Sequence, residues 1–289
     1  MKLCDLHCDT LTECRKKGEG IARATGHISL ERAACLEEWA QVFAVFVPDT
    51  LRGRDAANEC DRTLDFYDAQ REELARHCTP ILALENANAL NGDLSRLEEL
   101  ARRGVRLVTL TWNGANELGF GARCDPERGL TEFGKLCVRR MWELGMVPDV
   151  SHLNEAGFWD VAGMGGRMVA SHSCCAALQP HGRNLSDAQI EAVIAAGGLI
   201  GLALYPEFLG GAGAAADAAR HLRHIIALGG ADRAALGSDF DGCTLHPSLA
   251  GIEKMPALDE ELAELGFSEE IRRKFFWENG ANFFGIPAL

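Results

Sequence analysis

What most limits the fold of this chain is an alternation. Eight short β-rich runs, at 3–9, 41–47, 80–85, 105–111, 146–152, 167–172, 198–205 and 235–239, are each followed by a stretch of helical character. Strands that alternate with helices pair in parallel, because each helix returns the chain to the same end of the sheet. Eight such units predict an α/β protein with one domain, a closed (β/α)8 TIM barrel spanning 1–289. A doubly wound dinucleotide fold loses its best support, since no Gly-x-Gly-x-x-Gly follows a strand. The longer loops, 113–130, 206–216 and 242–256, come after strands rather than before them. That asymmetry suits a site built at the C-terminal ends of barrel strands.

Helix ends can be read in the same way. Ser186 and Gln189 form a capping box, and Gly197 with Gly198 stops that helix. Leu94, Leu97 and Leu100 make an apolar stripe before Gly104, as do Leu136, Met141 and Leu144 before Gly145. Leu222, Ile225 and Ile226 repeat it before Gly229. The tail 268–284 reads as a last helix capped by Ser268, with Phe275 and Phe276 packed into the core.

Composition narrows the partners. Hydrophobic residues make up 47% of the chain, and 29 Lys plus Arg against 42 Asp plus Glu give a net charge of -13. Nucleic acid and anionic membranes are therefore excluded as partners. No apolar run is long enough to cross a bilayer, and the first residues lack a basic-then-apolar signal, so the expected location is cytoplasmic. The 11 cysteines form no Cys-x-x-Cys pairs and read as small buried hydrophobes in a reducing compartment. On a regular first strand Cys4 and Cys8 point away from His7.

Chemistry gathers at the strand ends. His7 and Asp9, two apart on a strand, face the same side. Glu85 ends the third run, His152 the fifth, His172 the sixth and Asp239 the eighth. At the mouth of a barrel these six side chains converge. Three partly desolvated carboxylates side by side would cost several kcal/mol without cations, and metal ions remove that cost. Three histidines with carboxylates and no clustered thiols suit zinc. Taken singly, each residue also has a plainer role, as a helix-capping carboxylate or a hydrogen-bonded core imidazole. Asp239-Phe240-Asp241-Gly242 is an acid/base pair, a metal site or a simple Asp-Gly turn. Arg183-Asn184 either grips a carboxylate with a bidentate fork or makes a surface salt bridge. His77, His221 and His224 fall in helical segments and are assigned to the surface. Of the loop histidines His27, His181 and His246, only His181 is near the expected site. No Gly-x-Ser-x-Gly elbow and no phosphate-cradling loop is present.

From Asp5 to about Phe284 the chain resembles the membrane (renal) dipeptidase family, zinc peptidases among the metal-dependent hydrolase barrels. The likeness rests on Asp5-Leu6-His7-Cys8-Asp9, Ala83-Leu84-Glu85, the 107–111 strand and Asp149-Val150-Ser151-His152. It continues through Ser171-His172-Ser173, Arg183-Asn184 and Gly237-Ser238-Asp239-Phe240-Asp241-Gly242, in that order. The resemblance implies two zinc ions, one on His7 and Asp9, the other on His152 and His172, with Glu85 bridging them. It also implies that a hydroxide shared by the ions attacks a dipeptide. Arg183, beside Asn184, would hold the substrate carboxylate, and Asp239 would serve the leaving amine, with Glu85 and Asp239 the catalytic carboxylates. Where the family has a histidine after Leu-Thr, this chain has Trp112. That residue either donates its indole N–H to the substrate carbonyl or packs as a pocket wall. Two other readings stay open: the same barrel acting on another small amide, lactone or ester, and a binding protein with reduced catalysis. A homodimer is compatible with the sequence. The family's membrane-anchored, disulfide-linked members are poor guides to this chain.

Overall fold

A computed structural model describes residues 1–287, so the last two residues of the expected 1–289 domain lie outside the described residues. The strands are β1 (Lys2–Cys8), β2 (Glu38–Phe46), β3 (Thr79–Glu85), β4 (Val105–Thr109), β5 (Val147–Asp149), β6 (Ala170–Ser173), β7 (Ile200–Leu202) and β8 (Ala234–Leu236). They form one sheet in the order β5-β4-β3-β2-β1-β8-β7-β6, with every pairing parallel. The two ends of that order meet through a parallel bridge between Asp149 and Val169. The Val150 N–H donates to the Val169 carbonyl at 2.7 Å, and the Val169 N–H to the Pro148 carbonyl at 3.1 Å. The sheet is thereby a nearly closed barrel.

Two apolar layers follow from the alternation of side chains along each strand. The outer one packs the sheet against its helices and includes Leu3, Phe43, Leu84, Val108 and Leu236. The inner one fills the barrel with Cys4, Leu6, Val42, Ala83, Leu107, Val169, Leu199 and Ala235. Trp277 and Ala281 of the tail belong to this inner layer and close it at the end away from the site. The tail is the expected last helix, and Ser268 caps it by accepting the Ile271 N–H at 3.3 Å. It is not uniform, however. A π-helical turn over Lys274–Glu278 separates Glu269–Arg273 from Asn279–Phe284. Phe275 and Phe276 are buried there, as the sequence led us to expect.

The capping box at Ser186 is present, with both reciprocal hydrogen bonds. Two details differ from the periodicity argument. Leu136 is half exposed, so only Met141 of its stripe is fully buried. His221 is fully buried rather than superficial: its Nδ1 accepts the Cys175 N–H at 3.0 Å and its Nε2 donates to the Leu209 carbonyl at 3.0 Å. It is a core imidazole that ties the β6 loop to the helix Ala215–Ala227.

Candidate metal centre

Strand geometry delivers the site residues in three different ways. Glu85 follows plain alternation, sharing the inward face of β3 with Ile81 and Ala83. His7 does not. Asp5 pairs with Gln41 but Cys8 with Phe43, so β1 carries one extra residue between them. Such a bulge turns the following side chains to the opposite face. Leu6 and His7 therefore both face inward, while Cys8 joins the outer layer. The expectation that Cys4 and Cys8 both point away from His7 is thus corrected for Cys4, which packs inside the barrel with Leu6. Asp5 pins the bulge, accepting from the Ser238 N–H (2.8 Å), the Ser238 hydroxyl (2.6 Å) and the Gln41 amide (2.8 Å). On β6 the register slips likewise, from Ala170 opposite Ile200 to Ser173 opposite Leu202. Ser171 and His172 are consequently both brought to the inner side.

His152 and Asp239 lie beyond their strands, which end at Asp149 and Leu236. Both take the left-handed backbone conformation, with φ of 69° and 62°. That conformation is uncommon for non-glycine residues and is held here by the turn around it. Asp241, also left-handed, braces the second turn. Its carboxylate accepts from the Thr10 hydroxyl (2.6 Å) and the His27 N–H (2.5 Å), while its own N–H donates to His27 Nδ1 at 2.8 Å. His27 is therefore one contact from the site, which its loop position did not suggest. A Cβ on Gly242 would lie 2.4 Å from carboxylate oxygens of both Asp9 and Asp239, so any side chain there would displace them.

The convergence is close. His7 Nε2 stands 3.4 Å from Glu85 Oε2, 3.6 Å from Asp9 Oδ2 and 3.9 Å from Asp239 Oδ1. The other Glu85 oxygen, Oε1, is 3.1 Å from His152 Nε2, which faces His172 Nε2 at 2.9 Å. Three sets of potential ligands result: His7, Asp9 and Glu85; Glu85, His152 and His172; and His7, His172 and Asp239. Glu85 belongs to two of them and offers a different oxygen to each.

The electrostatics of this cluster call for cations. Burial pushes the Glu85 carboxyl up to about 7 and that of Asp239 up to about 6, with the Asp9 charge adding to both. Burial alone would lower His7, but the Glu85 and Asp9 carboxylates outweigh it and raise that imidazole well above its ordinary value. His152 and His172 are held well below theirs by burial, assisted by the Arg183 and His7 charges. Neutral imidazole is the form that binds metal. His7 Nε2, Asp9 Oδ1 and Glu85 Oε2 are buried and have no hydrogen-bond partner. Buried polar atoms are rarely left so, and a divalent ion held by His7, Asp9 and Glu85 would supply the missing partner. The donor set, nitrogen and oxygen without thiolate, fits zinc.

The cluster forms the floor of a cavity of about 640 Å³, whose lining includes Trp112, Arg183, Tyr205 and Phe208. Trp112 meets Phe46 edge-on at 5.3 Å and lies 6.1 Å from the His152 ring, so it stands as a wall beside the ligands. Arg183 is buried, stacks over Phe208 at 5.3 Å and donates to the His172 carbonyl at 3.3 Å. Its Nε is unpartnered, and among the described residues no carboxylate comes within ion-pairing distance. Burial pulls this guanidinium down to about 10. Asn184 faces away from the main cavity. Its amide holds the loop together, accepting the Cys174 N–H and donating to the Gln179 and Phe208 carbonyls. His181 lines the cavity and accepts the Arg183 N–H at 3.1 Å. Asn113 was not foreseen. Its Oδ1 accepts from His152 Nδ1 at 3.0 Å, and its place directly after Trp112, in the loop that follows β4, was the available signal.

Residues 1–284 match the family model described as membrane dipeptidase, peptidase family M19. The chain belongs to that family. It is accordingly a hydrolase of the metallo-dipeptidase kind. An uncharacterized protein from the pqqA 5' region of Klebsiella pneumoniae is 34% identical over 209 residues, covering 68% of this chain and 77% of that one. An uncharacterized dipeptidase of Schizosaccharomyces pombe and the dipeptidase aclJ of Aspergillus oryzae are 33% identical, over 61% and 65% of this chain and 45% and 46% of their own lengths. Among solved structures, dipeptidase AC, a metallopeptidase of the same family, superposes with a TM-score of 0.89 at 27% identity, over 99% of this chain and 97% of that one. A metallopeptidase from Rhodobacter sphaeroides, bound to a phosphinate mimic of L-Ala-D-Ala, gives 0.88 at 26% identity over 99% of both chains. No helix among the described residues is long and apolar enough to cross a membrane.

Proposed function

We propose that this chain hydrolyses the peptide bond of dipeptides at a centre holding two divalent metal ions, with zinc the best match to its ligands. One observation carries the proposal: a cavity in which two ligand groups share Glu85 also contains a buried guanidinium without a carboxylate partner. His7 and Asp9 would hold one ion, His152 and His172 the other, and Glu85 both. Bound there, such ions lower the pKa of an attacking water towards about 7 and polarise the scissile carbonyl.

The rest is done by the chain's own side chains. Arg183 is a buried cation, costly to leave unpaired, and the free carboxylate of a substrate supplies the missing charge. Its fixed position relative to the ligand groups restricts how many residues fit between carboxylate and scissile bond, which favours two. Asp239 Oδ1 is close enough to the ligand cluster to take up a proton and return it to the departing amine. Phe46 and Trp112 wall the cavity and exclude water, which strengthens every charge interaction inside it. The likeness to a metallopeptidase crystallised with a dipeptide mimic supports this reading.

A panel of dipeptides with free and amidated C-termini tests it. The zinc-loaded protein is expected to cleave the free acids and to discriminate strongly against the amides. Arg183→Met should raise KM for the free acid at least roughly 30-fold, about 2 kcal/mol, and barely affect the amide. Asp239→Asn should instead lower kcat by about 10²–10⁴. Equal turnover of acid and amide by the unaltered protein would contradict the role given to Arg183.

A further inference from the structure

Beneath His172 lies a chain of hydrogen bonds with no place in the chemistry above. Asp149, buried at the end of β5, accepts the Ser151 and Ser171 N–H groups on Oδ1, both at 3.0 Å. Its Oδ2 lies 2.9 Å from the Thr109 hydroxyl and 2.5 Å from that of Ser171. The Ser171 oxygen is in turn 2.8 Å from His172 Nδ1. A second hydroxyl, Ser151, is 3.4 Å from Ser171 Oγ and accepts the His172 N–H at 3.2 Å.

Counting protons fixes the direction of this chain. A carboxylate only accepts, and a serine hydroxyl has one proton to give. Four donors surround Asp149, and two of them are backbone N–H groups that can only donate, so Oδ1 is committed as an acceptor. Ser171 gives its proton to Oδ2 along the shortest contact in the network. Its oxygen can then only accept from His172 Nδ1.

We propose that Asp149 and Ser171 are positioning residues that hold His172 as its Nδ1–H tautomer, leaving the Nε2 lone pair bare at the metal centre. The inference rests on the two-metal reading of the site. His152 reaches the same state more directly, by donating from Nδ1 to Asn113 Oδ1. A partner on the far nitrogen commonly sets which nitrogen of a histidine meets the metal. In this barrel the partner of His172 is a hydroxyl, and only the carboxylate behind it decides which way that hydroxyl points.

Asp149→Asn reverses the relay with almost no change of shape. The amide oxygen stays at the Oδ1 position, where two N–H groups require an acceptor. The NH2 group then donates to Ser171 Oγ, whose proton turns to His172 Nδ1 and drives the imidazole proton to Nε2. Zinc competition with a chelator should show one of the two sites weakened by about 10–100-fold and the other unchanged. Ser171→Ala removes the relay without reversing it, so its loss should be smaller. The double variant should bind zinc more tightly than Asp149→Asn alone, since nothing remains to pass the wrong proton on. Losses that simply add, or wild-type affinity in Asp149→Asn, would overturn the relay. Histidine ¹⁵N spectra give a readout independent of zinc affinity: Nδ1–H on His172 in the wild-type chain supports the relay, and Nε2–H overturns it. A wild-type chain that binds no zinc would sink the two-metal reading, while the spectra would still decide the relay.

Discussion

Glu85 turns one carboxylate oxygen to His7 and the other to His152, so its loss should affect both halves of the centre. Trp112 raises a different question, because the family resemblance leads one to expect a histidine at its place. Its ring packs against Phe46 and beside His152, as a wall would. Trp112→Phe keeps most of that wall and removes only the indole N–H. If Trp112 packs, kcat on a good dipeptide should fall less than about tenfold, whereas a lost oxyanion donor costs about 10²–10³ in rate. A fall of a hundredfold with metal content intact would make Trp112 a catalytic donor. The acid–base state of the cluster supplies a further expectation. Glu85 and Asp239 titrate near 7 and 6 when folded, above their ordinary 4.5 and 3.8. Folded values above unfolded ones mean that these groups favour the metal-free fold at low pH, and that this contribution is lost as the pH rises through about 6 to 7. Metal must also displace those protons to bind. The gap in Tm between zinc-loaded and zinc-free protein should therefore widen from pH 5 to pH 7. A gap that narrowed over that range would contradict the placing of metal at these carboxylates.

Strands β6, β7 and β8 approach one another more closely than side chains allow. A Cβ on Gly201 or Gly237 would sit 1.8 or 1.9 Å from the Ser171 carbonyl oxygen. Neither glycine has a positive φ, so the requirement is for space and not for backbone freedom. Gly237→Ala should cost about 1–3 kcal/mol by overpacking, and should disturb metal binding through the displaced Ser171 and His172. Thermal melts and metal analysis together check this. Unchanged values in both would show that the strands yield easily. The same elements show where sequence reading reaches and where it stops. The barrel followed from its alternation, and Glu85 from simple two-residue periodicity. His7 and His172 stand near strand ends, as expected, yet each is turned inward by a bulge set by partners far along the chain. Asp5 needs Ser238 for this, a pairing that no local pattern announces. His27, His221 and Asn113 went unassigned or misassigned for the same reason: their partners are distant in sequence. The expected strands run three residues too far at His152 and Asp239, where the chain leaves the sheet in a left-handed turn.

Across the chain, the barrel is filled below by Trp277 and the inner apolar layer, and above by charges that this layer cannot neutralise. The fold thus places its least stable electrostatic arrangement at the end where this cavity opens. Zinc binding at a hundredfold excess over its Kd would add about 2.7 kcal/mol to stability, so the loaded and stripped proteins should differ visibly in melting as well as in activity. The central claim, that Glu85 joins two metal sites in one cavity, is tested most directly by metal content. Protein reconstituted with zinc, desalted and analysed by elemental mass spectrometry should hold two ions per chain, and Glu85→Ala should hold fewer than one. A wild-type chain that hydrolyses dipeptides while holding no metal, or a Glu85→Ala chain that keeps both ions, would contradict it.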